Sequence, residues 1–262
     1  MARRAACSAR PSGGSLIAML YDEIGKSYRT QRVPDSRIEA AIIRSLGAAE
    51  SVANVGAGAG SYEPPGRTAV AIEPAMTMIR QRKADAAPAV CAVAELLPLR
   101  DKCVDAALAV LTLHHWGDAQ KGLQELRRIA KDRVVILTYD PSGLGFWLTA
   151  DYFPAIAAKD RRMFLPIDVI ASALGRASVQ PIPVPRDCAD GFLGAYWSRP
   201  YAYLEPAVRS GMSAFAQLEG LEEGLIRLRS DLDTGAWHRK HGAVTRQDEL
   251  DIGYRLVVST LR

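Results

Sequence analysis

Between residues 51 and 140, five apolar runs of strand character alternate with helical or turn-like segments, and this alternation narrows the fold more than any other feature of the chain. The runs are "SVANV" (51–55), "TAVAIEP" (68–74), "APAVCAVA" (87–94), "CVDAALAVLTL" (103–113) and "DRVVILTYD" (132–140). Most are apolar almost throughout rather than at every second position, so each expects cover on both faces, as in a parallel sheet packed between helices. Between the last two, "AQKGLQELRRIAK" (119–131) puts Leu123, Leu126 and Ile129 on one helical face. Upstream, "SLIAMLYDEIGKSY" has apolar residues at Leu16, Ile17, Leu20, Ile24 and Tyr28 with helical spacing. "PDSRIEAAIIRSLG" reads as a second helix, capped by Asp35 or Ser36 and closed by Gly47.

After residue 140 the pattern changes. "GFWLTADYFPAIAAKDRRMF", "PIDVIASALG" and much of 204–235 are helical in character and rich in aromatics. "ASVQPIPVPRDC" is interrupted by proline and reads as an edge strand, and "ELDIGYRLVVSTL" reads as the last strand. The expectation is a flexible tail over 1–15, then a single α/β domain over 16–262. Within it, 142–245 forms a helical substrate lobe inserted around the sixth strand.

Composition excludes several classes. The formal net charge is +4, and Arg3, Arg4 and Arg10 supply three of those charges, so no nucleic-acid-binding stripe is expected. No apolar run approaches the ~18–20 residues of a membrane span. The basic opening "MARRAACSARPSGGS" lacks the apolar core of a secretory signal. Cys7, Cys91, Cys103 and Cys188 are widely separated, with no CxxC pair, which fits reduced thiols in a cytoplasmic protein. His238 and His241 in "HRKH" have no further Cys or His nearby, so no metal is expected. Nothing in the sequence speaks to the oligomeric state.

The stretch "VANVGAGAGSYEPP" carries the chemistry. Gly56, Gly58 and Gly60 follow the first strand, and a backbone without side chains can turn sharply and approach a ligand closely. In open α/β sheets ligands sit beyond the carboxyl ends of the strands. Glu73 ends the next run, where a carboxylate can accept both hydroxyl protons of a ribose. Dinucleotide folds place that acid about 20 residues on, after a full helix whose N-terminus holds the pyrophosphate. Here Gly60 and Glu73 are thirteen positions apart. Pro64 and Pro65 leave room for about one helical turn. Such a loop suits S-adenosylmethionine, which has no phosphate. At the third run, the backbone after Ala94 can meet an adenine ring, Glu95 can accept from its exocyclic amine, and Leu96 and Leu111 can flank it.

With "YDEIGKSYRTQR", "VANVGAGAGSYE", "AVAIEP", "AELLPLRDKCVDAALAVLTLHHW", "LQELRRIAK" and "RVVILTYDP" in this order, the chain resembles the class I S-adenosylmethionine-dependent methyltransferases, in particular their small-molecule, type 11-like branch. The resemblance spans roughly residues 20–141. It implies a Rossmann-like seven-stranded sheet of order 3-2-1-4-5-7-6, with strand 7 antiparallel and helices on both faces. It implies cofactor contacts from Gly56, Ala57, Gly58, Gly60, Glu73, Pro74, Ala94, Glu95 and Leu111. Tyr21, Tyr28 and Arg32 fall in the N-terminal helix that often lids the cofactor in this branch. At Asn54 many members carry an acid facing the methionine ammonium; an amide there brings no charge.

The expected reaction is transfer of a methyl group to an O, N or C atom of a small molecule. His114 and His115 follow the fourth strand, and adjacent residues on an extended segment point to opposite sides, so one of them, His115 by analogy, would face the acceptor. Trp147, Tyr152, Trp197 and Arg199, with Asp187 and Asp190, are the candidate acceptor contacts in the aromatic lobe. Two alternatives stand beside this reading: a protein of the same fold that does not transfer methyl, and an NAD(P)-dependent oxidoreductase.

Overall fold

The computed structural model describes residues 32–142, 145–216 and 218–261. The helix expected over 16–28, the tail, and Tyr21 and Tyr28 lie outside the described residues.

The apolar runs pair into one sheet. Its strands are β1 (Val52–Val55), β2 (Thr68–Ile72), β3 (Ala89–Val90), β4 (Val104–Val110), β5 (Ala130–Tyr139), β6 (Ala177–Pro181) and β7 (Tyr254–Thr260), in the order 3-2-1-4-5-7-6. Strands β1 to β5 run parallel, and β7 is antiparallel to both neighbours, β5 and β6. The expected third strand shrinks to two residues. The proline-interrupted run forms the outer edge, where a missing N–H costs no ladder bond.

Both faces of the sheet are covered, which is why its strands read as continuous apolar runs. Along β4, Ala106 and Leu108 face one core, while Ala107 and Ala109 face the other. The first core takes Ile38, Ile42 and Leu46 from helix α1 (Ser36–Leu46). The Asp35 side chain caps that helix by accepting the Arg37 N–H at 3.0 Å, and Gly47 ends it at φ 56°. A short helix α2 (Met76–Arg80) follows β2. Helix α3 (Ala119–Ile129) fills the second core with Leu123, Leu126 and Ile129, joined by Ile170 and Leu174 of helix α5 (Ile167–Leu174). Each such side chain, fully buried, contributes roughly 1.5–3 kcal/mol by area transfer.

The β1–β2 crossover departs from expectation. Residues 56–67 form turns only, without the single helical turn anticipated. Pro65 has no N–H to donate and forces Pro64 away from helical backbone angles. Tyr62 fills the space instead, 2% exposed and at φ 57°. Its hydroxyl accepts the Asp35 N–H at 3.2 Å and donates to Asp190 at 2.9 Å. Arg67 closes the far end of the loop by donating to the Gly47 and Ala49 carbonyls, each at 2.6 Å.

The lobe shares the first core with the sheet instead of forming its own. Helices α4 (Pro154–Met163), α6 (Leu221–Asp233) and α7 (Ala236–His241) surround Trp147, Tyr152, Phe153, Trp197, Tyr203 and Trp237. The Trp147 indole donates to the Trp197 carbonyl at 2.9 Å, the Trp197 indole to the Val184 carbonyl at 2.8 Å, and the Tyr152 hydroxyl to Asp231 at 2.7 Å. His241 pairs with Asp151 at 2.6 Å. Among the described residues, no helix is long and apolar enough to cross a membrane.

Tyr62→Phe leaves the Asp35 N–H without its acceptor and Asp190 short of one donor. Urea denaturation is expected to show a loss of roughly 1–3 kcal/mol; an unchanged midpoint would show that packing of the ring alone holds the crossover.

Candidate functional site

A cavity of about 420 Å³ opens beyond the carboxyl ends of β1, β2 and β4. It lies where β1 pairs with β2 on one side and β4 on the other, the switch point of the strand order. Gly56 and Gly58 form its floor with φ of 72° and 53°. The Gly56 and Ala57 N–H groups both donate to the Ile72 carbonyl, at 2.8 and 3.0 Å. A Cβ on Gly56 would sit 2.0 Å from Thr112 Oγ1, so only glycine lets β1 end this close to the β4 loop. Gly60, at φ 96°, donates to the Ala57 carbonyl at 2.9 Å and closes the turn; it does not line the cavity.

Glu73 is 7% exposed and lines the cavity. One carboxylate oxygen accepts the Gly58 N–H at 2.8 Å, the other the Ala75 N–H at 2.9 Å. Burial raises its pKa, and these two backbone donors hold it down. The acid thus sets the glycine loop and keeps further acceptor capacity for a ligand.

Asn54 also lines the cavity, and behind it the expected acid reappears in another place. The Asn54 amide donates to Glu63 at 3.3 Å, and Glu63 accepts from Arg82 Nη2 at 2.7 and 2.8 Å. Arg82 and Glu63 side chains are 5% and 9% exposed. A carboxylate at position 54 would face Glu63 across a hydrogen-bond distance. The amide is therefore what a strand end beside an existing buried ion pair accommodates.

Pro74, Ala94, Glu95 and Leu111 line the same cavity. Glu95 accepts the Asp118 N–H at 3.0 Å, so it also anchors the start of α3. Leu96, expected beside Leu111, is 72% exposed and lines neither cavity described here. Arg32 enters from the N-terminal side, its Nε donating to Asp190 at 2.7 Å. Among the described residues, Glu73, Glu95 and Asp118 line this space against one cation, Arg32, which is already paired. No α-helix begins at the glycine loop. A diphosphate at that loop would meet the Glu73 carboxylate and no helix N-terminus; a ligand with net positive charge is favoured.

A second chamber of about 160 Å³ adjoins the first, and Arg32, Leu111 and His115 line both. His114 lines the second only, its ring stacked on Phe164 with centroids 4.2 Å apart. Its Nδ1 is buried with no hydrogen-bond partner among the described residues. Burial, and then the charge of Lys159, push His115 down to about 4, and burial takes His114 the same way, so both rings are neutral near pH 7.

The four lobe residues proposed as acceptor contacts are placed elsewhere. Trp147, Tyr152 and Trp197 are 5%, 4% and 0% exposed within the shared core and line neither cavity. Arg199 donates to the Cys188 and Ala195 carbonyls, each at 2.8 Å. These large aromatics are part of the core that the lobe shares with the sheet. Asp187 sits outside on Arg37, while Asp190 holds Arg32 and Tyr62. The residues lining the second chamber that sequence reasoning missed, Tyr139, Lys159, Asp160 and Tyr254, lie at strand ends and in the C-terminal half of α4. Trp116, missed in the first cavity, had a signal: it follows the two histidines, and Gly122 on α3 leaves room for its ring, since a Cβ there would meet it at 2.3 Å.

A parallel sheet of this order with a closing antiparallel strand, and a ligand cavity at its switch point, defines a Rossmann-like methyltransferase fold. The methyltransferase-domain family matches residues 53–138. A crystal structure described as a putative methyltransferase from an antibiotic biosynthesis pathway of Anabaena variabilis is 36% identical. The match covers 88% of this chain and 99% of that one, with a TM-score of 0.82. At 12% identity, the (4+2)-cyclase SpnF aligns over 98% of each chain with a TM-score of 0.57. Geranyl diphosphate C-methyltransferase from Streptomyces coelicolor, solved with S-adenosyl-L-homocysteine, is 14% identical over 87% of this chain and 77% of its own, with a TM-score of 0.51. No curated protein matches the chain in sequence. The chain belongs to the class I S-adenosylmethionine-dependent methyltransferases, whose cofactor is S-adenosylmethionine.

Two outcomes are expected from this geometry. Asn54→Asp lowers stability instead of restoring a missing contact, because it sets a second carboxylate against Glu63; thermal unfolding reads this as a lower midpoint, and a higher one contradicts it. The second outcome concerns pH. The folded protein keeps His115 neutral down to about 4 while the unfolded chain protonates it near 6.5, so its contribution is lost as pH falls through that window. Asp160, raised by burial from 3.8 to about 6, binds its proton more readily when folded, and its contribution has the opposite slope. Asp160→Asn therefore steepens the loss of stability between pH 6.5 and pH 4, and His115→Asn flattens it, measured as urea midpoints.

Proposed function

We propose that the first cavity holds S-adenosylmethionine and the second a small-molecule acceptor, so that the protein transfers a methyl group to an O, N or C atom of that acceptor. The observation that carries this reading is the lining of the first cavity: the Gly56–Gly58 turn, at which no α-helix begins, and three acidic residues, Glu73, Glu95 and Asp118. When bound, S-adenosylmethionine supplies the electrophilic methyl group, so the protein's task is orientation and exclusion of water.

In this reading Glu73 accepts from the ribose hydroxyls. Its position is fixed by its two backbone bonds, so little entropy is lost on binding. Pro74, Ala94, Glu95 and Leu111 flank the adenine, and the absence of side chains at Gly56 and Gly58 allows close approach. Arg32 and Asn54 lie on the side left for the amino-acid moiety. His115, on the wall common to both chambers, is the residue placed to meet an acceptor atom. As a neutral imidazole it can accept a proton from a hydroxyl or an amine. His114 presents an unpartnered Nδ1 to the same chamber and is the second candidate for that role. The lobe over 142–245 supplies walls of the acceptor chamber as part of a single domain over 16–262.

Calorimetric titration with S-adenosyl-L-homocysteine tests the reading. The protein is expected to bind it and to ignore reduced nicotinamide dinucleotide. Glu73→Ala is expected to weaken binding by about tenfold or more, the worth of one or two charge-assisted hydrogen bonds. No heat from folded protein would remove the reading. Binding without transfer of labelled methyl to any of a wide panel of small molecules would favour a member that keeps the cofactor but not the reaction.

A further inference from the structure

The acceptor chamber carries its own charge pattern, and the first turn of α4 does not reach it; the C-terminal half does. Lys159, Asp160 and Met163 line it from that half, and Phe164, which caps the helix, lines it too. Among the described residues, no hydrogen bond or ion pair reaches the Asp160 carboxylate. A desolvated carboxylate without a partner is costly unless something that enters the chamber satisfies it.

The two charges of α4 bear on different neighbours. The Lys159 charge reaches His114 and His115. Burial first, then the Asp160 charge, push Tyr139 up to about 12, and Asp160 adds to the burial that raises Tyr254. Asp160 itself lines only the second chamber, whereas His115 lines both. The rings of the chamber form a continuous aromatic wall. Tyr139 meets Phe164 edge-on at 5.4 Å and Tyr254 at 5.4 Å, and Tyr254 meets Phe192 at 4.7 Å. Arg32 is the other cation on the lining, and Asp190 engages it.

Resting on the reading of these chambers as cofactor and acceptor sites, we propose that the acceptor is a compact, largely apolar molecule bearing a protonated amine remote from the atom to be methylated, the amine lodging between Asp160 and the rings of Tyr139, Phe164 and Tyr254. A carboxylate partnered by aromatic faces favours an ammonium over an alcohol by charge and by the ring quadrupoles. It disfavours a carboxylate at that end through like-charge repulsion. Lys159, whose charge reaches His115, keeps the ammonium away from that ring and so sets the molecule's direction.

The test uses the full chain saturated with S-adenosyl-L-homocysteine and three probes that share one ring: 2-phenylethylamine, 2-phenylethanol and phenylacetate, titrated by calorimetry. The amine is expected to bind at least about tenfold more tightly than the alcohol, the worth of one charge-assisted bond, and phenylacetate least of all. Asp160→Asn is expected to abolish the preference for the amine while leaving S-adenosyl-L-homocysteine affinity unchanged. Lys159→Met guards against a merely misfolded variant: it is expected to bind the amine at least as tightly as the parent. Equal or better binding of the alcohol or of phenylacetate, a preference that survives Asp160→Asn, a fall in amine affinity with Lys159→Met, or no probe binding at all in protein that holds S-adenosyl-L-homocysteine, each overturns the proposal and leaves the cofactor reading standing. Failure to bind S-adenosyl-L-homocysteine removes both.

Discussion

Asp190 is a carboxylate 1% exposed, and three donors converge on it: the Arg32 guanidinium, the Tyr62 hydroxyl and the Gly191 N–H. Each donor comes from a different part of the chain: the segment before α1, the β1–β2 crossover, and the lobe. Without that carboxylate, Tyr62 would lose its acceptor beneath the glycine turn, and Arg32 would lose the ion pair that helps place it on the wall between the two chambers. Buried charge of this kind is stable only while its partners stay in place, so removing one donor is felt by the others. The neighbouring Asp35 repeats the device by accepting the Arg37 and Ala189 N–H groups at 3.0 Å each, which ties the start of α1 to the same loop.

A crossover without a helix follows from this arrangement. Proline at 64 and 65 removes the helix, and a single aromatic side chain with a polar tip replaces the packing it would have supplied. The same economy of space decides the charges. Glu63 lies behind the loop and is neutralised by Arg82, so Asn54 stays neutral. Glu73 is left as the acid at the strand end, held by two backbone donors. What lines the cavity at the loop is then main chain and the anchored Glu73, with Glu95 and Asp118 further along the wall, an environment suited to an adenosyl group and poor for a diphosphate.

The sheet and the first cavity were legible in the sequence because both depend on local pattern. Double-sided burial writes continuous apolar runs, and a backbone that must turn at positive φ writes Gly56 and Gly58. The order of those pieces carried the family resemblance, and Glu73, Glu95 and Leu111 came with it. The second chamber was not legible. Trp147 and Trp197 stood out as large aromatics, but size is what makes them core. Asp160 and Lys159 sit in an ordinary-looking charged stretch, "AKDRRMF", and only the packing of Phe164 on His114 and Tyr139 shows that this stretch borders a chamber. The pairing of Tyr62 with Asp190, 128 residues apart, has no signal in the sequence.

The measurement closest to the central claim is a crystal structure of the protein grown with S-adenosyl-L-homocysteine and reduced nicotinamide dinucleotide both present. The account predicts the homocysteine compound over Gly56–Gly58, its ribose on Glu73 and its sulfur beside the wall formed by Leu111 and His115. A dinucleotide seated on that loop, or the homocysteine compound bound away from it, contradicts the account.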